Sequence, residues 1–143
     1  MTKRLDEITE EVMRILPVFL RKVHAGTLQF MSMTPAQIFI LMLVQEKGHC
    51  CLSDIGRELS IAPPTATGII DRLERDNYIK RVHSQEDRRV VNVCLTKKGS
   101  TYLEQMRNEK YERVKQVIGL LTTEDQENYL RILKTFIEGL KDV

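Results

Sequence analysis

The spacing of apolar residues in the middle of the chain predicts two short helices around a tight turn. Ile55 and Leu59 lie on one face of the first helix, and Ser53 offers a hydroxyl to cap its start. Pro63 and Pro64 then suit the first turn of a second helix, where the leading N–H groups have no intrahelical partner. The inward positions of this second helix follow the i, i+3, i+4, i+7 spacing: Ala66, Ile69, Ile70 and Leu73. The pattern is typical of a helix-turn-helix over about residues 52–75.

The opposite face of the second helix carries small polar residues first and arginines later. Its outward positions are Thr65, Thr67, Gly68, Asp71, Arg72 and Arg75. Small residues near the start of the helix allow its backbone to approach the floor of a DNA groove, and the arginines can reach phosphates or guanine edges. An ordinary amphipathic surface helix with solvated charges shows a similar face, so this helix alone leaves both interpretations open.

The residues that follow predict a β-hairpin over about residues 79–95. The segments 78–82 and 90–95 have strand composition, and the polar, turn-like segment 83–89 lies between them. The tip holds Asp87, Arg88 and Arg89 together. An acid beside two arginines can hold one guanidinium in a fixed direction, which suits the negative potential of a narrow minor groove. The hairpin therefore has the features of the wing of a winged helix-turn-helix.

Positive charge is concentrated in this same region. The whole chain has a net charge of +2, but residues 72–98 contain eight Lys or Arg and four Asp or Glu, an excess of four positive charges. The rest of the chain must then carry a net charge of −2. Positive charge gathered on one module favours contact with the phosphates of nucleic acid.

Apolar stripes near both ends predict long helices around the winged module. The first helix has an apolar seam with spacings of three and four residues: Leu5, Ile8, Val12, Ile15 and Phe19. Pro17 should interrupt this helix and kink it. Residues 34–37 predict the capped start of a second helix. The body of this helix is apolar nearly all round, so we expect it in the interior of the protein. A helix beginning near Thr96, a break at 121–123 and a last helix complete the chain. We expect a mostly α fold with a small β-wing, in which the terminal helices pack together and pair with a second subunit.

Composition and motif content exclude several other classes of protein. With 143 residues and 42% hydrophobic content, the chain has the size of one soluble domain, and it shows no apolar run long enough for a membrane span and no secretory signal, so we expect a cytoplasmic protein. We find no P-loop, dinucleotide-binding turn or nucleophile elbow, which argues against an enzyme. His24, His49 and His83 are scattered without ligand spacing, so neither a metal nor a cofactor is expected.

The order of these elements resembles the MarR family of bacterial and archaeal transcriptional regulators over nearly the whole chain. Three segments in sequence carry the resemblance: Ile70–Arg81 (IDRLERDNYIKR), Asp87–Arg89 (DRR) and Leu95–Gly99 (LTKKG). The resemblance implies a single domain over residues 1–143. Within it, residues 1–32 and 99–143 would form a helical dimerisation region, and residues 33–98 the winged helix-turn-helix. Asn77 departs from the glycine common in the family, although asparagine also tolerates a left-handed backbone.

The resemblance also implies the function and its residues. A homodimeric repressor would bind a pseudo-palindromic operator in double-stranded DNA and would be released by a small-molecule effector. The helix from Pro63 to Asp76 would read the major groove, and Arg89 at the wing tip would enter the minor groove. The DNA-binding residues would be Pro64, Thr65, Thr67, Gly68, Arg72, Arg75, Asp87, Arg88 and Arg89.

The effector chemistry is left open by the sequence. A small aromatic or apolar anion could contact His24, Phe30 and Met33, although these side chains could equally fill the core or a hinge. Redox sensing through Cys50, Cys51 or Cys94 is an alternative. None of the three forms the CxxC spacing of a thioredoxin-like or zinc site, so we expect free thiols, which could equally be small hydrophobic residues of the core. A winged protein-interaction module that does not bind DNA is another alternative. The operator, the controlled genes and the sign of regulation are not encoded in any recognisable motif.

Overall fold

The computed structural model describes residues 2–25 and 32–142, and over these ranges the chain is mostly helical with one small antiparallel sheet. The fold class predicted from the sequence is confirmed. The elements in chain order are α1 (Thr2–His24), α2 (Pro35–Lys47), β1 (Cys50–Cys51), α3 (Leu52–Leu59), α4 (Pro63–Arg75), β2 (Ile79–His83), β3 (Val91–Leu95), α5 (Lys97–Ile118), α6 (Thr123–Gly139) and a final 3₁₀ turn (Leu140–Asp142).

The chain divides into two compact units. The winged unit spans Gln29–Asn108, and the terminal unit combines Met1–Leu28 with Glu109–Val143. Helix α5 contributes residues to both. Each unit gathers its own set of contacts.

The sheet of the winged unit contains the two predicted strands and one that was not predicted. Its strand order is β1-β3-β2, and both pairings are antiparallel. The wing pairs β2 with β3 from Ile79 opposite Leu95 to His83 opposite Val91. The two-residue strand β1 places Cys50 opposite Val93. A strand of two residues is too short to show the alternating pattern by which strands are recognised in a sequence.

The winged unit is built around one apolar core to which every one of its helices contributes. The side chains most completely removed from solvent come from α2, α3, α4 and the sheet: Ile40, Leu41, Val44, Ile55, Ile70, Leu73, Ile79 and Val93. Burying a large aliphatic side chain contributes about 1.5–3 kcal/mol relative to leaving it exposed. The shared core therefore holds α4 firmly against the wing strands.

The start of α2 agrees with the sequence, but one side of this helix, which was expected in the interior, is exposed. The backbone N–H of Gln37 donates to Thr34 Oγ1 at 3.3 Å and that of Thr34 donates to Gln37 Oε1 at 2.8 Å, which completes the predicted capping box. Leu41 and Val44 are buried, whereas Phe39 and Met42 are exposed. Since only one side of the helix meets the core, an apolar sequence on all sides does not mean burial on all sides.

Two further local predictions require correction. Ser53 does not cap α3, because the helix begins one residue earlier, at Leu52; Cys51 occupies the N-cap without a side-chain hydrogen bond, and Ser53 Oγ lies 2.9 Å from Cys51 Sγ. The predicted interruption at Pro17 is also wrong, since α1 continues through it. A proline removes one backbone hydrogen bond, and the turns on both sides of Pro17 keep theirs. The kink at Pro17 stays a prediction.

Two of the segments that carry the family resemblance, Ile70–Arg81 and Leu95–Gly99, meet at the turn that joins α4 to the wing. Asn77 has φ of +66°, so asparagine adopts the left-handed conformation expected of it. Thr96 Oγ1 donates to the Asn77 carbonyl at 2.6 Å and accepts the Gly99 N–H at 3.1 Å. A Cβ on Gly99 would stand 2.2 Å from the carbonyl oxygen of Tyr78. Glycine is therefore required where α5 begins against the turn.

The terminal unit differs from the winged unit because none of its described residues is buried. Helices α1 and α6 and the final 3₁₀ turn leave many large apolar side chains open to solvent, among them Leu5, Ile8, Met13, Leu16, Leu130, Phe136, Ile137 and Leu140. Thr122 caps α6 by accepting the Asp125 N–H at 3.2 Å, which confirms the predicted break before the last helix. This unit has no apolar core among its described residues.

Candidate DNA interface

The two faces of α4 are divided as the sequence predicts. Ala66, Ile70 and Leu73 are buried, and Ile69 is half-buried. The predicted outward residues are all exposed, as is Pro64: Thr65, Thr67, Gly68, Asp71, Arg72 and Arg75. An added Cβ at Gly68 would meet no atom within 4 Å, so this part of the surface is open. The exposed face is small and polar at its start and basic further along.

The start of α4 is fixed by its backbone and by close packing with α3. Ala62 is the N-cap in an extended conformation, and its carbonyl accepts the N–H groups of Thr65 and Ala66 at 3.0 and 3.1 Å. Gly56 of α3 is buried, and a Cβ there would lie 3.8 Å from Ala66 Cβ. Ser60, with φ of +52°, makes the turn between the helices. No pattern in the sequence indicates this left-handed serine.

The wing tip holds Arg89 in a defined direction, as the acid beside it predicts. Asp87 Oδ1 accepts the Arg89 backbone N–H at 3.0 Å and Nε at 3.2 Å, and Oδ2 accepts Nη2 at 3.4 Å. The backbone N–H of Arg89, and then its guanidinium, lower the pKa of the Asp87 carboxyl. The Arg89 side chain is nevertheless 92% exposed. It is thus oriented by a partner and still accessible to a ligand.

Other residues of the wing shape the loop that carries these groups. Ser84 Oγ accepts the N–H of Glu86 at 3.3 Å and that of Asp87 at 3.4 Å. His83 Nδ1 lies 3.1 Å from the Arg88 carbonyl oxygen, and Arg88 itself is exposed. These three contacts close the loop between the strands. They give the tip a structure that sequence reasoning described only as polar and turn-like.

Arg81 makes a network that sequence reasoning did not single out. Its Nη1 donates to Glu74 Oε1 at 2.7 Å and its Nη2 to Asp71 Oδ1 at 2.5 Å. Its backbone N–H donates to Glu74 Oε2 at 3.0 Å. Burial alone would lower the pKa of Arg81, but the hydrogen bonds to both carboxylates raise it overall. The network joins β2 to α4.

Two of the three predicted effector residues are among the described residues, and each belongs to a different unit. His24 is exposed near the end of α1, with Nδ1 2.7 Å from the Leu20 carbonyl oxygen. Met33 is buried in the core of the winged unit. Phe30 lies outside the described residues. The contribution of the three residues to an effector site stays a prediction.

The three cysteines are free, and they differ in accessibility. Cys50 is buried, and this burial raises the pKa of its thiol, which disfavours the reactive thiolate. Cys51 and Cys94 are half-buried. Over residues 2–25 and 32–142, no three His, Cys, Asp or Glu side chains gather as a metal site. No helix in those ranges is both long and apolar enough to cross a membrane.

Comparison with known proteins agrees with the geometry. A model described as the MarR family matches residues 33–91. The HTH-type transcriptional repressor MdtR of Bacillus subtilis is 29% identical over 126 residues, which cover 86% of this chain and 81% of that protein. The HTH-type transcriptional regulator YfiV of the same organism is 32% identical over 114 residues, which cover 78% of this chain and 71% of that protein.

A solved structure extends the likeness to the terminal helices. The crystal structure of YusO from Bacillus subtilis superposes with a TM-score of 0.84 at 26% identity, and covers 93% of this chain and 96% of the YusO chain. The match thus includes the helices on both sides of the winged unit. On the family match, the identity to relatives and the shared fold, the chain belongs to the MarR family of DNA-binding helix-turn-helix transcriptional regulators and is not an enzyme.

Proposed function

We propose that the protein is a homodimeric transcriptional repressor that recognises a pseudo-palindromic operator in double-stranded DNA in the cytoplasm. The observation that carries this proposal is the pairing, within one unit, of an exposed α4 face with an exposed wing-tip arginine that Asp87 orients. Helices of this kind read base edges in the major groove, and an oriented arginine suits a narrow minor groove.

Each exposed residue has a role that follows from its chemistry. The start of α4 is exposed and carries small side chains, which allows close approach to the floor of the major groove. These residues are Pro64, Thr65, Thr67 and Gly68. The two arginines further along are Arg72 and Arg75, which reach phosphates or guanine edges. In the wing, Arg89 enters the minor groove, Asp87 orients it, and Arg88 contacts the backbone.

The terminal unit supports the homodimer. None of its described residues is buried, yet α1 and α6 carry continuous sets of large apolar side chains. Apolar surface of that extent is unfavourable in water, and a second copy of the same surface covers it through a two-fold axis. The dimer then presents two α4 helices, whose half-sites lie about 10–10.5 base pairs apart, or a multiple of that spacing, on one face of B-DNA.

Repression and effector release are the further parts of the proposal. MdtR is named a repressor, and the same sign of regulation is proposed here. The effector is a small aromatic or apolar anion, with His24, Phe30 and Met33 as the residues to test. Benzoate is a suitable probe, since it should release the protein from DNA in a mobility-shift assay at millimolar concentration, whereas equal concentrations of chloride should not. No release by benzoate or by larger aromatic acids would contradict this part.

Selection of bound duplexes from a random library tests DNA recognition. The expected product is an enriched inverted repeat whose half-site spacing fits a two-fold dimer. The slope of log affinity against log salt should be steep, because phosphate contacts release counterions. A protein-interaction module would give no enriched sequence and a flat slope, and that result would refute the proposed function.

A further inference from the structure

The Arg81 guanidinium stands between α4 and β2 and bonds carboxylates on two successive turns of α4. Its side chain is 24% exposed, compared with 92% for Arg89 at the wing tip. One nitrogen donates to Asp71 and another to Glu74, and the backbone of Arg81 also donates to Glu74. The side chain is therefore held by two hydrogen bonds, and the backbone of the same residue by a third. It is largely covered, whereas the Arg89 side chain is accessible to a ligand.

One of the two bonded carboxylates lies on the face of α4 that is proposed to meet DNA. Asp71 has a side chain that is 59% exposed, and it stands one helical turn after Thr67 and one before Arg75. A bare carboxylate at this position would repel the phosphates that approach the face. The positive charge of Arg81 lies 2.5 Å from Asp71 Oδ1 and cancels that repulsion.

The second carboxylate holds Arg81 where it can do this. Glu74 accepts both the backbone N–H and the guanidinium of Arg81, so it holds the middle of β2 and the side chain at the same time. The hydrogen bonds to Asp71 and Glu74 raise the pKa of Arg81, so its guanidinium stays charged. The charge is therefore placed over Asp71 by the fold.

We infer that Arg81 is a positioning residue for DNA binding, which acts by neutralising Asp71 on the DNA-facing side of α4 and does not touch DNA itself. The inference rests on the proposed DNA-binding function. It predicts opposite effects on DNA affinity for replacement of Arg81 and replacement of Asp71. Loss of Arg81 exposes a negative charge to the phosphates, whereas loss of the charge on Asp71 removes the group that Arg81 has to cancel.

A double-mutant cycle measured on the selected duplex tests this inference. Arg81→Gln should weaken binding roughly tenfold, within the range known for coupled neighbours. Asp71→Asn should bind as tightly as the unaltered protein or more tightly, and the double variant should recover to within about threefold of it. Arg14→Gln is the matched control, because Arg14 also pairs with a carboxylate, Glu11, but lies on α1. It removes the same charge and should leave affinity within about twofold.

The outcomes separate the possible roles of Arg81. A loss in Arg81→Gln that Asp71→Asn does not restore would overturn the inference, and so would weaker binding by Asp71→Asn alone. A direct phosphate contact would instead lower the salt slope by about 1 in Arg81→Gln. If Arg81→Gln does not fold, Arg81→Lys keeps the charge and should bind within about threefold, and Asp71→Asn alone still decides the question. Failure of the unaltered protein to bind any duplex would refute the proposed function instead.

Discussion

Replacement of Phe136 by alanine should weaken the proposed dimer without unfolding the winged unit. Phe136 lies on the apolar face of α6, and it is 60% exposed in the single chain. Full burial of such a side chain contributes about 1.5–3 kcal/mol. Burial of the exposed part therefore contributes about 1–2 kcal/mol in each protomer. Two-fold symmetry counts the residue twice, which gives about 2–4 kcal/mol, or a dissociation constant raised roughly 30- to 700-fold.

Sedimentation velocity over a wide range of protein concentrations measures this effect directly. The unaltered protein should sediment as a dimer at concentrations where Phe136→Ala shows a mixture of monomer and dimer. Glu138→Ala provides the control, because residue 138 is exposed on the opposite side of α6 by helical spacing and its replacement keeps the apolar face intact. This control should dimerise as the unaltered protein does.

Two results would refute the reasoning. A monomeric unaltered protein at all accessible concentrations would mean that a second copy does not cover the terminal helices. An unchanged dissociation constant in Phe136→Ala would mean that the dimer forms through a different surface. In both cases the apolar side chains of α1 and α6 would need another explanation, since surface of this kind does not stay bare in water without a function.

Four further measurements test individual residues. Arg89→Ala should weaken operator binding by about 1–3 kcal/mol with an unchanged melting temperature, and equal affinity in the folded variant would contradict the role given to the wing tip. Gly99→Ala should lower the free energy of unfolding by about 1–3 kcal/mol in urea titrations, because its Cβ collides with the Tyr78 carbonyl. The pKa of Asp87 is lowered, so its bond to Arg89 should persist as pH falls past 3.8 and be lost only at lower pH; an NMR titration of the carboxyl with its midpoint at or above 3.8 would disprove this. Finally, Cys50 should react with a disulfide reagent more slowly than either other cysteine, as judged by mass spectrometry, and the reverse order would reopen the redox alternative.

The features that the sequence predicted well are local ones. The division of α4 into buried and exposed faces follows from side-chain spacing over a few turns, and the face predicted to be apolar is the one that packs in the core. The bond between Asp87 and Arg89 joins residues two apart in the chain. The left-handed Asn77 and the capping box at Thr34 are likewise decided by a few neighbouring residues.

The features that were missed depend on the tertiary arrangement. Strand β1 exists because Cys50 meets Val93, more than forty positions along the chain. The partial exposure of α2 depends on which of its neighbours covers each side, which an apolar sequence cannot show. Arg81 bonds Asp71, ten residues away, through the turn between a helix and a strand. No helical or strand periodicity connects those two positions, so only the folded chain reveals the pair.

The contrast between the two units has a consequence for how DNA affinity should depend on concentration. The winged unit has its own core, whereas the terminal unit has none among its described residues, so in the proposed dimer a change in α6 acts on assembly and leaves the reading surface intact. Once one half-site is bound, the second binds at the effective concentration set by the dimer. Phe136→Ala should therefore weaken binding to the full operator strongly at nanomolar protein, and to a single half-site hardly at all. Arg89→Ala should weaken both. Equal losses for Phe136→Ala on the two duplexes would show that the terminal helices affect the reading surface itself.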